Sequence, residues 1–146
     1  MFRLPSQTQA DEAGDTPQQT RVTNPDGSIT LHAPTVRDLM RHILETIAAD
    51  EKDLFTKQLL SSTTRAEFAE RGIDPGEAFD MLKRRRQDLR RLFSAMPVGE
   101  FTPGVLMTPV ARNVFRLSTE GDPTMPWTFM DVVYEKGEYR LRWFGR

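Results

Sequence analysis

The hydrophobic pattern of this chain changes its period once, close to Pro97 and Gly99. Before these residues, apolar side chains recur every three or four positions, which is typical of helices that bury one face. After them, apolar residues fall in short segments between turn residues, which is typical of strands joined by tight connections. We therefore predict an α+β fold in which several N-terminal helices pack on a curved C-terminal antiparallel sheet.

Start and stop signals divide the helical part, residues 35–97, into four segments. Thr35 can cap the first helix while Asp38 reaches back to it, and Gly72 is placed to end the third. His42 lies off the apolar stripe of the first helix and is predicted to face solvent. The predicted helices begin at Thr35, near Asp50, near Thr64 and at Asp74-Pro75-Gly76-Glu77, and the last one continues to about Met96.

Turn residues divide the sheet part, residues 99–146, into short segments that favour strands. The connections at 120–123 and 135–137 are short enough to make neighbouring strands antiparallel. A separate hairpin is predicted within residues 21–34, because Pro25 and Gly27 favour a turn between two short β-favouring stretches. The predicted strands of the sheet are residues 105–107, 114–119, 127–134 and 139–144.

The composition limits what the chain can do. Its 146 residues predict one folded domain, residues 21–146, behind a disordered polar leader, residues 1–20, which has too few aliphatic side chains to offset the entropy of ordering. Because cysteine is absent and only two histidines are present, we expect no metal and no cofactor. The leader contains no membrane span or signal peptide, which leaves localisation open between the cytoplasm and export with a removed signal.

The order of small helices, a long helix and an antiparallel sheet resembles the ketosteroid-isomerase-like, or nuclear transport factor-like, α+β cone superfamily. The local likeness is the segment Val132-Val133-Tyr134-Glu135-Lys136-Gly137-Glu138-Tyr139-Arg140-Leu141, which is similar to the closing hairpin of many members. The resemblance covers residues 35–144. It implies a cone-like sheet that wraps the helices around a hydrophobic pocket, used for catalysis in some members and for binding or association in others.

A basic run lies in the middle of the predicted long helix: Lys83, Arg84, Arg85, Arg86, Arg90 and Arg91. Helical spacing spreads these side chains around the axis, so the pattern favours a solvated, ion-paired surface over a nucleic-acid site. Two of them, Arg85 and Arg86, project into the apolar stripe of the helix and need a partner. Either they reach water or a buried carboxylate, or they bind an anionic ligand at a pocket mouth.

Asp131 is the predicted partner of these two arginines. A three-residue turn at 135–137 would point Asp131 toward the core, whereas a two-residue turn at 136–137 would point it outward. We prefer the three-residue turn because the shorter one sets Glu135 directly opposite Glu138. The preferred turn predicts one buried polar network that joins Arg85 or Arg86 to Asp131.

Four aromatic side chains complete the predicted pocket. Trp127, Tyr139 and Trp143 share the face predicted for Asp131, and either Tyr134 or Tyr139 could donate a hydrogen bond to an oxyanion. The opposite face is predicted to expose Met130, Val132 and Phe144, which would allow two copies to form a homodimer through their sheets.

These features favour a non-catalytic ligand-binding or protein-association module, with a small apolar or anionic molecule as ligand and no nucleic acid as partner. One alternative is a small isomerase, dehydratase or cyclase in which Asp131 is the base. Another is a peripheral interaction domain of an exported or anchored protein, which the polar leader suggests. The preferred hypothesis assigns no catalytic residue.

Overall fold

A computed structural model describes residues 19–120 and 123–146 and confirms the α+β fold. The chain divides into two compact units, Met1–Thr30 and Leu31–Arg146. The helices are α1 (Val36–Ala48), α2 (Lys52–Leu54), a π-helical segment (Phe55–Leu59), α3 (Ser62–Glu70), α4 (Glu77–Arg84), α5 (Arg86–Ser94) and a 3₁₀ turn (Gly99–Phe101). The strands are β1 (Arg21–Thr23), β2 (Ile29–Leu31), β3 (Leu106–Ala111), β4 (Val114–Ser118), β5 (Phe129–Glu135) and β6 (Glu138–Gly145).

The hairpin near the N-terminus forms as predicted. β1 and β2 make a two-stranded sheet, and Gly27 takes a positive φ of 88° in the turn between them. The backbone N–H of Gly27 donates to the carbonyl of Asn24 over 2.9 Å, which closes the turn. Residues 1–18 of the predicted leader lie outside the described residues.

The N-terminus of α1 is held by two side chains. The hydroxyl of Thr35 accepts from the backbone N–H of Asp38 and donates to its carboxylate, as the sequence predicts. The Glu100 carboxylate accepts from the backbone N–H groups of Val36 and Arg37, both over 2.9 Å. Since the first N–H groups of a helix have no partner within it, Glu100 satisfies two of them and fixes the 3₁₀ turn against α1.

The predicted long helix is broken, which corrects the sequence interpretation. α4 begins at Glu77 rather than at Pro75 and ends at Arg84, and Arg85 leaves the helical conformation with φ −107° and ψ 27° before α5 starts. In an unbroken helix Arg85 would project into the apolar stripe. The break lets its guanidinium leave that stripe while Leu82 and Leu89, on either side, both remain fully buried.

The four C-terminal strands form one antiparallel sheet in the order β3-β4-β5-β6. The free edge of β6 is covered by the segment that leads into α3, because Leu60 bridges Leu141 and the N–H of Ser61 donates to the carbonyl of Leu141 over 2.8 Å. Ser61 also caps α3, three residues ahead of Thr64, where the helix was predicted to start, and Gly72 ends that helix region with φ +71° as predicted.

The turn between β5 and β6 is the two-residue turn, so the preferred three-residue turn is wrong. Lys136 and Gly137 both have positive φ, and Glu135 pairs directly with Glu138. The like charges are tolerated because each carboxylate has its own donors. Glu135 accepts from the N–H and hydroxyl of Ser62, while Glu138 accepts from the N–H of Ala33 and contacts His32 Nδ1.

This register reverses the predicted faces of β5. Met130, Val132 and Phe144, predicted to be exposed for a dimer, are buried in the core between sheet and helices. They pack with Leu117 and Leu141, both fully buried. Asp131 lies on the other face of the sheet, opposite Trp143 in the register. A homodimer through the sheet remains a prediction, but these three side chains are not the surface that would form it.

Candidate binding site

The structure distributes the seven predicted site residues over four places. They are Arg85 with Trp127, Arg86 at the start of α5 beside α1, Asp131 with Trp143 on the outer sheet face, and Tyr134 with Tyr139 near the β5–β6 turn. No hydrogen bond or ion pair among the described residues joins Arg85 or Arg86 to Asp131, so the predicted network is wrong. The cause is the turn, which sends Asp131 away from the helices.

Arg85 and Trp127 form a contact between the helices and the sheet. The Arg85 guanidinium carbon lies 4.0 Å from the centre of the Trp127 ring, and its Nε donates to Asp88 over 3.1 Å. Trp127 is buried and stacks on Phe144 with 4.7 Å between ring centres. A cation above an aromatic ring with a carboxylate beside it is a structural arrangement that ties α5 to the sheet.

Asp131 is held by Arg116, a residue that the sequence analysis did not single out. Nε and Nη2 of Arg116 donate to the two carboxylate oxygens over 2.8 and 3.0 Å, and these hydrogen bonds raise the pKa of the guanidinium. The same guanidinium lies 3.8 Å from the centre of the Phe129 ring. Because both oxygens accept charge-assisted bonds, Asp131 is a structural partner rather than a free base.

Double-mutant cycles test this partner assignment. Asp131→Ala and Arg116→Ala should be strongly non-additive in the free energy of unfolding, because either change alone removes the whole contact. The matched cycle of Asp131→Ala with Arg85→Ala should be additive. Chemical denaturation of the five variants and the wild type measures both couplings, and a coupling of Asp131 to Arg85 in place of Arg116 would contradict the structure.

Tyr134 and Tyr139 lie side by side at the end of the sheet. Their ring centres are 4.9 Å apart, and Tyr134 is exposed. Burial raises the pKa of the Tyr139 phenol, and the charges of Glu100 and Tyr134 act in the same direction. A phenol that holds its proton more tightly is a poorer acid, which does not favour a catalytic role for Tyr139.

His42 is buried, so its predicted solvent exposure is wrong. Only 1% of the residue is exposed, and its Nε2 donates to the carbonyl of His32 over 2.9 Å. This bond fixes the proton on Nε2 and leaves Nδ1 without a hydrogen-bond partner. Glu45 Oε1 lies 3.7 Å from that atom. The arrangement explains the burial, because the segment that follows β2 covers this face of α1.

Two neighbouring cavities run along α1 on the side that faces α5. One, of about 620 Å³, lies between the C-terminal half of α1 and the α4–α5 break, and the other, of about 290 Å³, continues toward the N-terminus of α1. Leu44 lines both cavities. We call the combined depression the basic groove. Its floor is apolar and consists of Met40, Leu44, Ile47, Leu89, Phe93 and Met96, and its rims carry Arg37, Arg41, Lys83, Arg86 and Arg90.

The described residues do not cancel the charge of the basic groove. Two of its cations have carboxylate partners: Arg41 contacts Asp38 over 2.9 Å and Lys83 contacts Asp50 over 2.7 Å. Arg37, Arg86 and Arg90 are exposed and form no ion pair with any carboxylate in residues 19–120 or 123–146. The one acidic side chain in the lining is Glu45, which lies 4.0 Å from Arg41. The groove therefore presents an apolar floor beneath unneutralised positive charge.

From the sequence, one groove residue, Arg86, is a candidate for a site, Lys83 and Arg90 are interpreted as a solvated surface, and neither Arg37 nor Arg41 is singled out. The available signals were the four-residue spacing of Arg37 and Arg41 in the first helix, repeated by Arg86 and Arg90 in the basic run. Four residues return to the same side of a helix, so each pair lines one face. Which two faces meet depends on tertiary packing, and the broken helix changes the direction of the second pair.

Other types of site find no support in the described part of the chain. Residues 19–120 and 123–146 contain no cluster of three or more His, Asp or Glu side chains arranged to hold a metal ion. None of the helices in these ranges has the length and apolar character needed to cross a membrane. Comparisons with protein-family models, with curated proteins and with solved structures found no match.

Proposed function

We propose that this chain is a non-catalytic binding module and that the basic groove is its binding site. The observation that carries the proposal is the combination of an apolar floor with three exposed arginines that lack an ion-pair partner among the described residues. Such a surface favours an occupant with negative groups and an apolar part, because the arginines gain partners while Leu44, the one floor residue that is not buried, loses water.

The alternative of an isomerase, dehydratase or cyclase loses its main support, since Asp131 is engaged by Arg116 on the outer face of the sheet. Membership in the α+β cone superfamily stays a proposal. It is supported by the order of elements, with helices before an antiparallel sheet, and a binding role without catalysis is compatible with it. The proposal of a peripheral interaction domain concerns the leader and is independent of the groove.

A pair of fluorescent probes tests the groove directly. Anilinonaphthalene sulfonate combines aromatic rings with one negative charge, and phenylnaphthylamine has a similar apolar body without the charge. Titration should show saturable binding of the sulfonate, weaker binding of the neutral probe, and a loss of sulfonate affinity at high salt. The double variant Arg86→Glu, Arg90→Glu should weaken sulfonate binding by about tenfold or more, which corresponds to about 1.4 kcal/mol.

The matched control is Arg112→Glu, which reverses an exposed cation in the β3–β4 turn, away from the groove. It should leave the affinity for the sulfonate unchanged. Thermal unfolding should confirm that all variants are folded. Equal affinity of the wild type and the double variant would refute the groove as the binding site.

A further inference from the structure

We infer, building on the proposed function, that the occupant of the basic groove is an acidic amphipathic α-helix of a partner protein. The first argument is length. The groove follows α1 from Arg37 to Ala48. At a rise of 1.5 Å per residue this is about 16 Å, or roughly three helical turns. An open depression of this length matches a short helix more closely than a small molecule, most of whose surface is usually enclosed by its pocket.

The second argument is the arrangement of charge. Arg37 and Arg41 line the smaller cavity of the groove from α1, and Arg86 and Arg90 line the larger cavity from α5. Within each pair the residues are four apart, so their Cα atoms are separated by about 6 Å along the helix axis. Glutamates four residues apart on an incoming helix repeat at the same distance. A helix with glutamates at this spacing can contact both arginine pairs. A single anionic group, such as a free carboxylate, cannot.

The third argument is the floor. Leu44 is half-buried in the middle of the groove, where the two cavities meet. Leu89 and Phe93, which are also four residues apart, line the floor from α5 but are already buried, so Leu44 is the floor residue that a partner can cover. A partner helix with apolar residues at positions i, i+3, i+4 and i+7 would place them over this floor. Glutamates on both flanks of that stripe would then face the arginines of the two rims.

A designed peptide of about fifteen residues, roughly four turns, with a leucine stripe at this spacing and glutamate on its flanks, is the probe. A second peptide has the same composition in an order that destroys the stripe, and a third has lysine in place of glutamate. Fluorescence anisotropy should show that the first peptide binds the full chain, that the reordered peptide binds at least about tenfold more weakly, and that the lysine peptide does not bind. Circular dichroism should show a gain of helix on binding.

The variant Arg37→Glu, Arg90→Glu removes one cation from each wall and should weaken the first peptide by more than about tenfold, while Arg112→Glu should not. Equal binding of the ordered and reordered peptides would overturn the inference, because charge alone would then explain the affinity. If the naphthalene sulfonate binds in the groove but the first peptide does not, the helix inference fails and the proposed function stands. If neither binds, both fail.

Discussion

Replacing Leu141 with alanine should lower the free energy of unfolding by about 3 kcal/mol and the melting temperature by roughly 10 °C. Leu141 is fully buried at the centre of β6, where it pairs with Val132 and bridges Leu60. Its side chain therefore contributes to the contact between the sheet and the segment ahead of α3. Truncation leaves a cavity there, and the rigid sheet closes such a cavity poorly.

The matched control is Leu106→Ala in β3 of the same sheet, where the leucine is 64% exposed. Its effect should stay below about 0.5 kcal/mol, since little apolar surface is buried there. Chemical denaturation of both variants gives the comparison. Similar losses for the two leucines would mean that the core is not on the face of the sheet described above.

Gly99→Ala should lower the free energy of unfolding by about 3 kcal/mol, for two separate reasons. Gly99 has a φ of +61°, which side chains with a Cβ adopt at a cost. A Cβ at this position would also lie 2.9 Å from the Cα of Arg37, a backbone atom that cannot move without shifting α1. The variant should therefore loosen the 3₁₀ turn and weaken the hold of Glu100 on α1.

Gly104→Ala separates the two reasons, because Gly104 has a φ of +87° but no atom within 4 Å of an added Cβ. It should lower the free energy of unfolding by about 1 kcal/mol, because only the conformational cost applies there. Thermal unfolding of the two variants measures the difference. If Gly99→Ala and Gly104→Ala lowered the melting temperature equally, that result would contradict the close approach of the 3₁₀ turn to α1.

Local signals in the sequence predicted much of the fold. The change of hydrophobic period near Pro97 separates the helices from the sheet, and Thr35 and Gly72 act as the start and stop signals that their chemistry indicates. These features depend on residues that are neighbours in the chain. The break at Arg85 has no such local signal, and the residue that its guanidinium contacts there, Trp127, is distant in sequence.

The position of Asp131 was predicted wrongly because a single turn decides the face of a whole strand. The repulsion between the carboxylates of Glu135 and Glu138 opposes the two-residue turn when only the two strands are considered. It is outweighed by donors from Ser62, Ala33 and His32, which reach the turn only in the folded protein. Arg116 was not considered as a partner, since the pairing of β4 with β5 determines which cation lies beside Asp131.

The basic groove combines parts that the sequence shows separately. The basic run was interpreted as a solvated surface, and the cations of the first helix were not considered. Their significance arises from the approach of α1 to α5, with Leu44 between the two sets of arginines. The spacing of residues predicts which side chains share a helix face. Which faces lie against each other depends on the packing of the whole core.

Mapping the site by nuclear magnetic resonance tests the central claim most directly. Backbone amide shifts of the isotope-labelled chain should be recorded during titration with anilinonaphthalene sulfonate. We predict that the largest changes fall in α1 and α5, around Leu44, Arg86 and Arg90, and that they disappear in the Arg86→Glu, Arg90→Glu variant. Changes concentrated on the outer sheet face, around Arg116 and Asp131, would contradict the assignment of the basic groove as the binding site.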